Sequence, residues 1–372
     1  MSGDPTIIAA AESPYTRHPQ AGLTTPAVLA DAARRALDEA GLAPDGIDGL
    51  GVASFTLAPD HAIDLAVALG LRLSWLMDGC TGGAAGIDML QHAVRAVAAG
   101  DASRILLLAG DVFRPGAFVQ LVDGYNVATR EHLAPIPFGG PNALFALLTK
   151  RHMAAQGLER ADYGRLVVAQ RGWAAGNTGA VYRDPLTVDD YLDAPLVAEP
   201  LGLLDCVPVV SGADALIVAA EGAGVRVRAL RVAHNADRHD GDGLGTGLGT
   251  LAPRLWSDAA ASPADISVVS VYDDYPAMAL IQLADLGFGG PHETLAAIET
   301  RALPVNTSGG QLSAGQAGAG GGMHGLVEVV TQLLGRAGDR QVAGARLGLA
   351  SGYGMVAYRH GACANAVVLE AP

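Results

Sequence analysis

The segment WLMDGCTGGAAGIDML, residues 75–90, places a cysteine, Cys80, just ahead of a run with helical apolar spacing over 82–99. A thiol there faces unpaired backbone amides and the positive end of the helix dipole, and both favour the thiolate. Gly79, Gly82 and Gly83 leave room for a substrate to approach the backbone, and Thr81 is placed to cap the helix. The chemistry open to such a group is nucleophilic catalysis through a covalent intermediate. The opposing reading is a small buried residue in a tight strand-to-helix turn. Other residue types compete for roles. Tyr272, in VYDDYP, can donate a hydrogen bond or pass a proton. Gln316, in a Gly-rich turn, can donate its amide to an oxyanion, with neighbouring backbone amides helping. His324 reads as a helix-face residue and His18 as part of a surface turn. Cys206 and Cys363 lie in apolar strand contexts and read as core.

The composition sets limits on this chemistry. The chain has 372 residues, 50% hydrophobic, 17% charged and only 5% aromatic, which suits a sheet covered by closely packed helices. The formal net charge is −14 with no basic run, so nucleic acid is not an expected partner. Three cysteines form no disulfide framework, and no metal-ligand spacing is present, so no metal is expected. The start lacks the pattern of a signal peptide, and no run reaches the ~18 apolar residues of a membrane span. A soluble, reduced, cytoplasmic protein is expected.

The elements that position these residues read as two similar halves. Strand patterns fall at 6–11, 47–55 and 105–111, with helices at 26–41 and 82–99. Strands at 216–220 and 226–232, a helix at 249–260 and a strand at 266–276 follow. A Gly-rich turn over 306–325 then runs into a helix, and strands at 346–354 and 364–371 finish the chain. Each half places a Gly-rich turn before a long helix, and helix–APDGIDG–strand is echoed by helix–PADIS–strand. The stretch 112–200 is too long for a simple connection and is read as a loop domain. The expected organisation is 1–111 with 201–222, a loop domain at 112–200, and 223–372. The run GDGLGTGLG, 241–249, does not fit the dinucleotide fingerprint and does not follow a strand closely.

This layout resembles the thiolase superfamily, especially its sterol-carrier-protein-X and lipid-transfer-protein branch. The resemblance spans essentially the whole chain and rests on DGCTGGAAG, LDCVPVVSGADALIVAA (204–220), VYDDYPAMALIQLADLGF (271–288), NTSGGQLSAGQAGAGGG (306–322) and LASGYG (349–354). It implies a duplicated, five-layered αβαβα fold with a loop domain, and Cys80 occupies the position of the family's nucleophile. It also implies that Gly315, Gln316, Asn306 and Gly354 bind substrate or an oxyanion. His132 falls in the loop region where branch members place active-site histidines, which makes it the candidate base for Cys80. The chain departs from ordinary thiolases in three places. Tyr272-Asp273-Asp274-Tyr275 stands where they carry Asn-Glu or His-Asp. Gly315-Gln316-Ala317 stands where they carry Gly-His-Pro. Ser351 takes the place of the second cysteine, the base that deprotonates the attacking acetyl group. Ser351 is carried over as a catalytic position, although a serine hydroxyl is too weakly acidic to replace that cysteine and glutamine accepts no proton at neutral pH.

Two activities follow from the resemblance. In the first, Cys80 takes an acyl group from a CoA or carrier thioester and passes it to a nucleophilic acceptor. In the second, the chain is a retro-aldolase on β-hydroxyacyl-CoA, with tyrosines moving the proton and Cys80 idle. Tyr272 fits both. The second tyrosine of such lyases is expected in the Gly-rich turn, where Gln316 stands. A non-catalytic scaffold subunit is a third reading. No bound cofactor is expected; the thioester is substrate. A homodimer and a zinc-ribbon/OB-fold acyl-CoA-binding partner are expected from the family.

Overall fold

Alternating apolar strands and amphipathic helices produce a layered α/β chain. The computed structural model describes residues 4–114, 116–124, 127–133, 135–136, 140–236, 242–357 and 360–372; Gly241, which opens the 241–249 run, lies outside them. The first half contains β1 (Thr6–Glu12), α1 (Thr25–Ala40), β2 (Gly49–Ala53), α2 (His61–Ala68), β3 (Trp75–Gly79), α3 (Ala85–Ala99) and β4 (Arg104–Asp111). The middle contains α4 (Ala117–Asp123), α5 (Gly140–Gln156), α6 (Arg160–Ala174), α7 (Val188–Asp193), and the short strands β5 (Leu196–Ala198) and β6 (Leu201–Gly202). Strand β7 (Gly212–Ala219) then returns to the first half. The second half runs β8 (Val225–His234), α8 (Gly247–Ala259), β9 (Val268–Ser270), α9 (Pro276–Asp285), α10 (Pro291–Glu299), α11 (Gly310–Ala314), α12 (Gly321–Leu333), β10 (Leu347–Ala357) and β11 (His360–Glu370).

Nine strands form one sheet in the order β3-β2-β4-β7-β1-β8-β11-β10-β9. The two halves join where β1 pairs with β8 through only Thr6↔Arg226 and Ile7↔Val225. Three apolar cores define five layers. One lies between α1, α2 and the first-half strands. The second holds α3 and α12 between the two halves. The third covers the outer face of the second half with α8, α9 and α10 and reaches into the middle segment. This is the five-layered αβαβα arrangement of a thiolase-like fold.

Two expected elements are corrected. The helix expected over 82–99 begins at Ala85, because Gly82–Ala84 first makes a 3-10 turn. The Thr81 side chain therefore makes no cap bond, and among the described residues its buried hydroxyl has no hydrogen-bond partner. The strand expected over 266–276 stops at Ser270. There the Val271 N–H donates to Asn306 Oδ1 at 2.9 Å rather than to a neighbouring strand, and the chain leaves the sheet edge.

Candidate active site

The departure from β9 delivers Tyr272. Its backbone carbonyl accepts from Gln282 Nε2 on α9 at 2.5 Å. The following Asp273 is buried and caps the start of α11, accepting from Gln311 N at 2.9 Å. Tyr272 is thus held at its own carbonyl by α9 and through its neighbour Asp273 by α11. Burial raises the Asp273 carboxyl to about 7, although the amides it accepts from and the nearby His324 pull the other way.

Gln316 sits in the Gly-rich turn between α11 and α12. Its backbone bridges to the Val209 segment: its N–H donates to Pro208 O at 2.9 Å and its carbonyl accepts from Val210 N at 3.0 Å. Gly315, at φ 112°, allows this turn, and a side chain there would strike Val210. The Gln316 amide nitrogen donates to the Tyr272 hydroxyl at 2.8 Å and to Gln311 Oε1 at 3.1 Å. The turn is tied to β4 by Asp111, which is fully buried. One of its oxygens accepts from Ser54, Phe55 and Thr56, and the other from Ala319 N at 2.8 Å.

Tyr272 and Gln316 open into a cleft of about 390 Å³. Its walls include Tyr353, Gly354, Tyr275, Asp274 and Asn142, with Phe118, Phe145 and Val207 among the apolar ones. Tyr353 is a site residue that the sequence reading misses, although it lies within the SGYG stretch. It comes from the middle of β10, its side chain is buried, and its hydroxyl accepts from the Gly361 N–H. Gly83 lies between the tyrosines: a methyl group there would overlap both the Tyr272 ring and the Tyr353 carbonyl oxygen.

Cys80 is exposed and lines a different cavity, of about 340 Å³, with His61, Asp78, Gly82 and Met355. The two cavities share Phe55 and Leu121. The thiol is therefore not sealed in the core. His132 is exposed on the turn Ala128–Leu133 and lines neither cavity. Ser351 is buried and donates to Gln282 Oε1 at 2.9 Å, so it braces the residue that holds Tyr272. Asn306, at φ 50°, is buried behind the site and orders the Ser270–Val271 turn without reaching the cleft. Gly315 and Gly354 pack closely, the latter against Thr81 and Gly83. Cys363 is buried in β11 as expected of core. Cys206 is not core: it is half-buried and lines the cleft, because the chain ahead of β7 runs along the wall.

Behind the Gly-rich turn His324 lies on α12, as its position suggests, and its side chain is buried. Its Nδ1 meets Glu12 at 2.9 Å and its Nε2 lies 2.8 Å from Ser308 Oγ. Burial disfavours the imidazolium, but Glu12 outweighs that and holds the pKa at about 9, with Asp214 and Glu328 adding. Asp214 lies within 4.8 Å of this pair and accepts from the Tyr15 hydroxyl at 2.8 Å. These residues come from β1, β7 and α12, and no short-range spacing announces them.

Comparison with known proteins agrees with this fold. The family described as "Thiolase C-terminal domain-like" matches residues 231–365. The 17-hydroxy-3-oxo-4-pregnene-20-carboxyl-CoA lyase of Mycobacterium tuberculosis is 32% identical over 90% of this chain and 92% of its own. The steroid side-chain-cleaving aldolase of Thermomonospora curvata is 29% identical over 82% and 84%. The solved Ltp2-ChsH2(DUF35) aldolase superposes with a TM-score of 0.83 at 25% identity, covering 99% of this chain and 98% of that one. The chain is an enzyme of the thiolase superfamily, in its sterol-carrier-protein-X and lipid-transfer-type branch.

Proposed function

We propose that the chain is a carbon–carbon lyase that cleaves a β-hydroxyacyl thioester by a retro-aldol reaction in the Tyr272 cleft. The observation that carries this reading is the pairing of Tyr272 and Tyr353 in one cleft, each phenol oxygen accepting a protein N–H. The similarity to two lyases supports it. In the reaction the β-hydroxyl gives its proton to a base, the Cα–Cβ bond breaks, a ketone or aldehyde leaves, and the thioester enolate takes a proton at Cα. The N–H that Gln316 aims at the Tyr272 oxygen supports negative charge there while the proton is away. Tyr272 and Tyr353 are assigned to the two proton transfers. The acyl-transfer reading ranks second. It is favoured by one observation, the exposed thiol of Cys80 in a cavity that shares walls with the cleft.

Incubation with a β-hydroxyacyl-CoA, with the released carbonyl product trapped and quantified, tests the proposal. Release by the wild type and by Cys80→Ala, but not by Tyr272→Phe, is expected. A Cys80 acyl adduct seen in intact-mass spectra, with no carbonyl release, overturns it in favour of acyl transfer.

Two assembly proposals accompany this reading. None of the helices among the described residues is long and apolar enough to cross a membrane, and a cytoplasmic location is proposed. The edge strand β3 exposes Leu76, and the adjacent α2 exposes Ile63 and Val67, at 42, 51 and 73%. An apolar sheet edge of this kind is a pairing surface, and a homodimer through it is proposed. The solved aldolase that this chain resembles is named for Ltp2 together with ChsH2(DUF35). A zinc-ribbon/OB-fold protein of DUF35 type, carrying part of the acyl-CoA, is proposed as the second partner.

A further inference from the structure

The wall of the cleft contributed by the middle segment carries a polar group that the proton transfers do not use. Asn142, in the first turn of α5, lines the cleft. Its Oδ1 accepts from the Tyr275 hydroxyl at 2.7 Å and from the Cys206 thiol at 3.7 Å. One turn further along α5, Phe145 stacks on the Tyr275 ring with centroids 4.3 Å apart. Ring and amide together therefore dock this helix on the Tyr272–Tyr275 segment. Burial raises both donors, Cys206 to about 12, so phenol and thiol each keep a proton to place. A carboxamide facing two protonated donors presents its oxygen to them. Its nitrogen then points the other way, and among the described residues no protein group accepts from it.

Beside it, Asp274 lines the same cleft, and among the described residues its buried Oδ1 has no hydrogen-bond partner. Burial, with Asp273 next in sequence, raises this carboxyl well above its usual range. A carboxylate ligand against Asp273 and Asp274 would meet like charge as either one ionised.

We infer that Asn142 and Asp274 form a subsite that binds an uncharged acceptor oxygen, a ketone or a hydroxyl, on the hydrocarbon part of the acyl group. This rests on the reading that the acyl group occupies the Tyr272 cleft. Asn142 supplies the N–H donor, Tyr275 and Cys206 hold the amide in that sense, and an anion is disfavoured beside the Asp273–Asp274 pair. The subsite selects among acyl groups by a polar atom remote from the bond that breaks.

Equilibrium dialysis of the intact chain against perhydrophenanthrene and its ketone, alcohol and carboxylic acid tests this without any turnover. The ketone and alcohol are expected to bind about tenfold tighter than the hydrocarbon, the factor one net hydrogen bond supplies, and the carboxylate weaker than the ketone. Asn142→Leu is expected to bring ketone and hydrocarbon within twofold of each other. Tyr275→Phe, which preserves the ring against Phe145 and guards against a misfolded leucine variant, is expected to reduce the preference because the amide is freed to turn over. A preference undiminished in both variants, no preference in the wild type, or tightest binding of the carboxylate overturns the inference. Preference without any carbonyl release from β-hydroxyacyl-CoA leaves the subsite standing and removes only the lyase assignment.

Discussion

A phenol with an ordinary pKa near ~10 is a poor base at neutral pH, so the surroundings of Tyr272 decide whether it can act. Gln316 is the residue that matters most. A histidine at this place in ordinary thiolases serves a thiol; the glutamine here donates to a phenol at 2.8 Å. Its amide cannot drift, because Gln311 takes the same nitrogen and the backbone is pinned on both sides to 208–210. If Tyr272 moves the proton in the bond-breaking step, Tyr272→Phe lowers kcat on the order of 10²- to 10⁴-fold with KM little changed. Tyr353→Phe lowers it by a comparable factor, and Cys80→Ala leaves it within about twofold. Steady-state kinetics of carbonyl release reads all three.

At the scale of elements, the short turn after β9 does more than end a strand. Asp273 couples Tyr272 to α11, and it does so as a buried carboxyl whose pKa, about 7, exceeds its ordinary value of 3.8. Between those values the folded state holds a proton that the unfolded state has released. This stabilisation is complete below the lower value and is lost as pH rises through the higher one, by up to about 1.4 kcal/mol per pH unit. Denaturant melts at pH 4, 5.5 and 7 are therefore expected to show stability falling with pH. Asp273→Asn, which still accepts from Gln311 N, is expected to flatten that slope by about one proton's worth. An unchanged slope in the variant removes Asp273 as the titrating group.

Much of this scale is legible in the residues. The strand at 105–111 can be read because seven consecutive residues are buried, and the helix beginning near Cys80 because Gly100 ends it in the left-handed region. The expected strand at 266–276 is too long because Val-Tyr reads as β-forming, while the bond that diverts the chain comes from Asn306, 35 residues away. The cleft itself is only half legible. Tyr272 and Gln316 stand in local motifs. Asn142 does not, because its partner Tyr275 is 133 residues distant and nothing in the spacing links them. The residues alone set Cys80 and Tyr272 in competition for one site; that Phe55 and Leu121 line the cavities of both is a matter of tertiary packing.

For the whole molecule, the open question is what covers the edge of the sheet at β3. The strand alternates half-buried and exposed residues, and its free edge sits next to apolar side chains of α2. If two copies pair there, Leu76→Lys weakens the dimer by at least about tenfold, since a charge would be buried against its own symmetry mate. Light scattering across a dilution series is expected to show the variant dissociating at concentrations where the wild type does not. A wild type that is monomeric throughout ends the proposal.

The same scale gives a consequence to Gly83. The residue belongs to the first half of the duplication, while the Tyr272 ring and the Tyr353 carbonyl oxygen it packs against belong to the second. A deep mutational scan should therefore find this position intolerant of every side chain, alanine included, even though it bears no reactive atom. Fragments carrying either half alone would lack a finished cleft. Carrying both halves on one polypeptide keeps this glycine and its two tyrosine contacts together at any protein concentration.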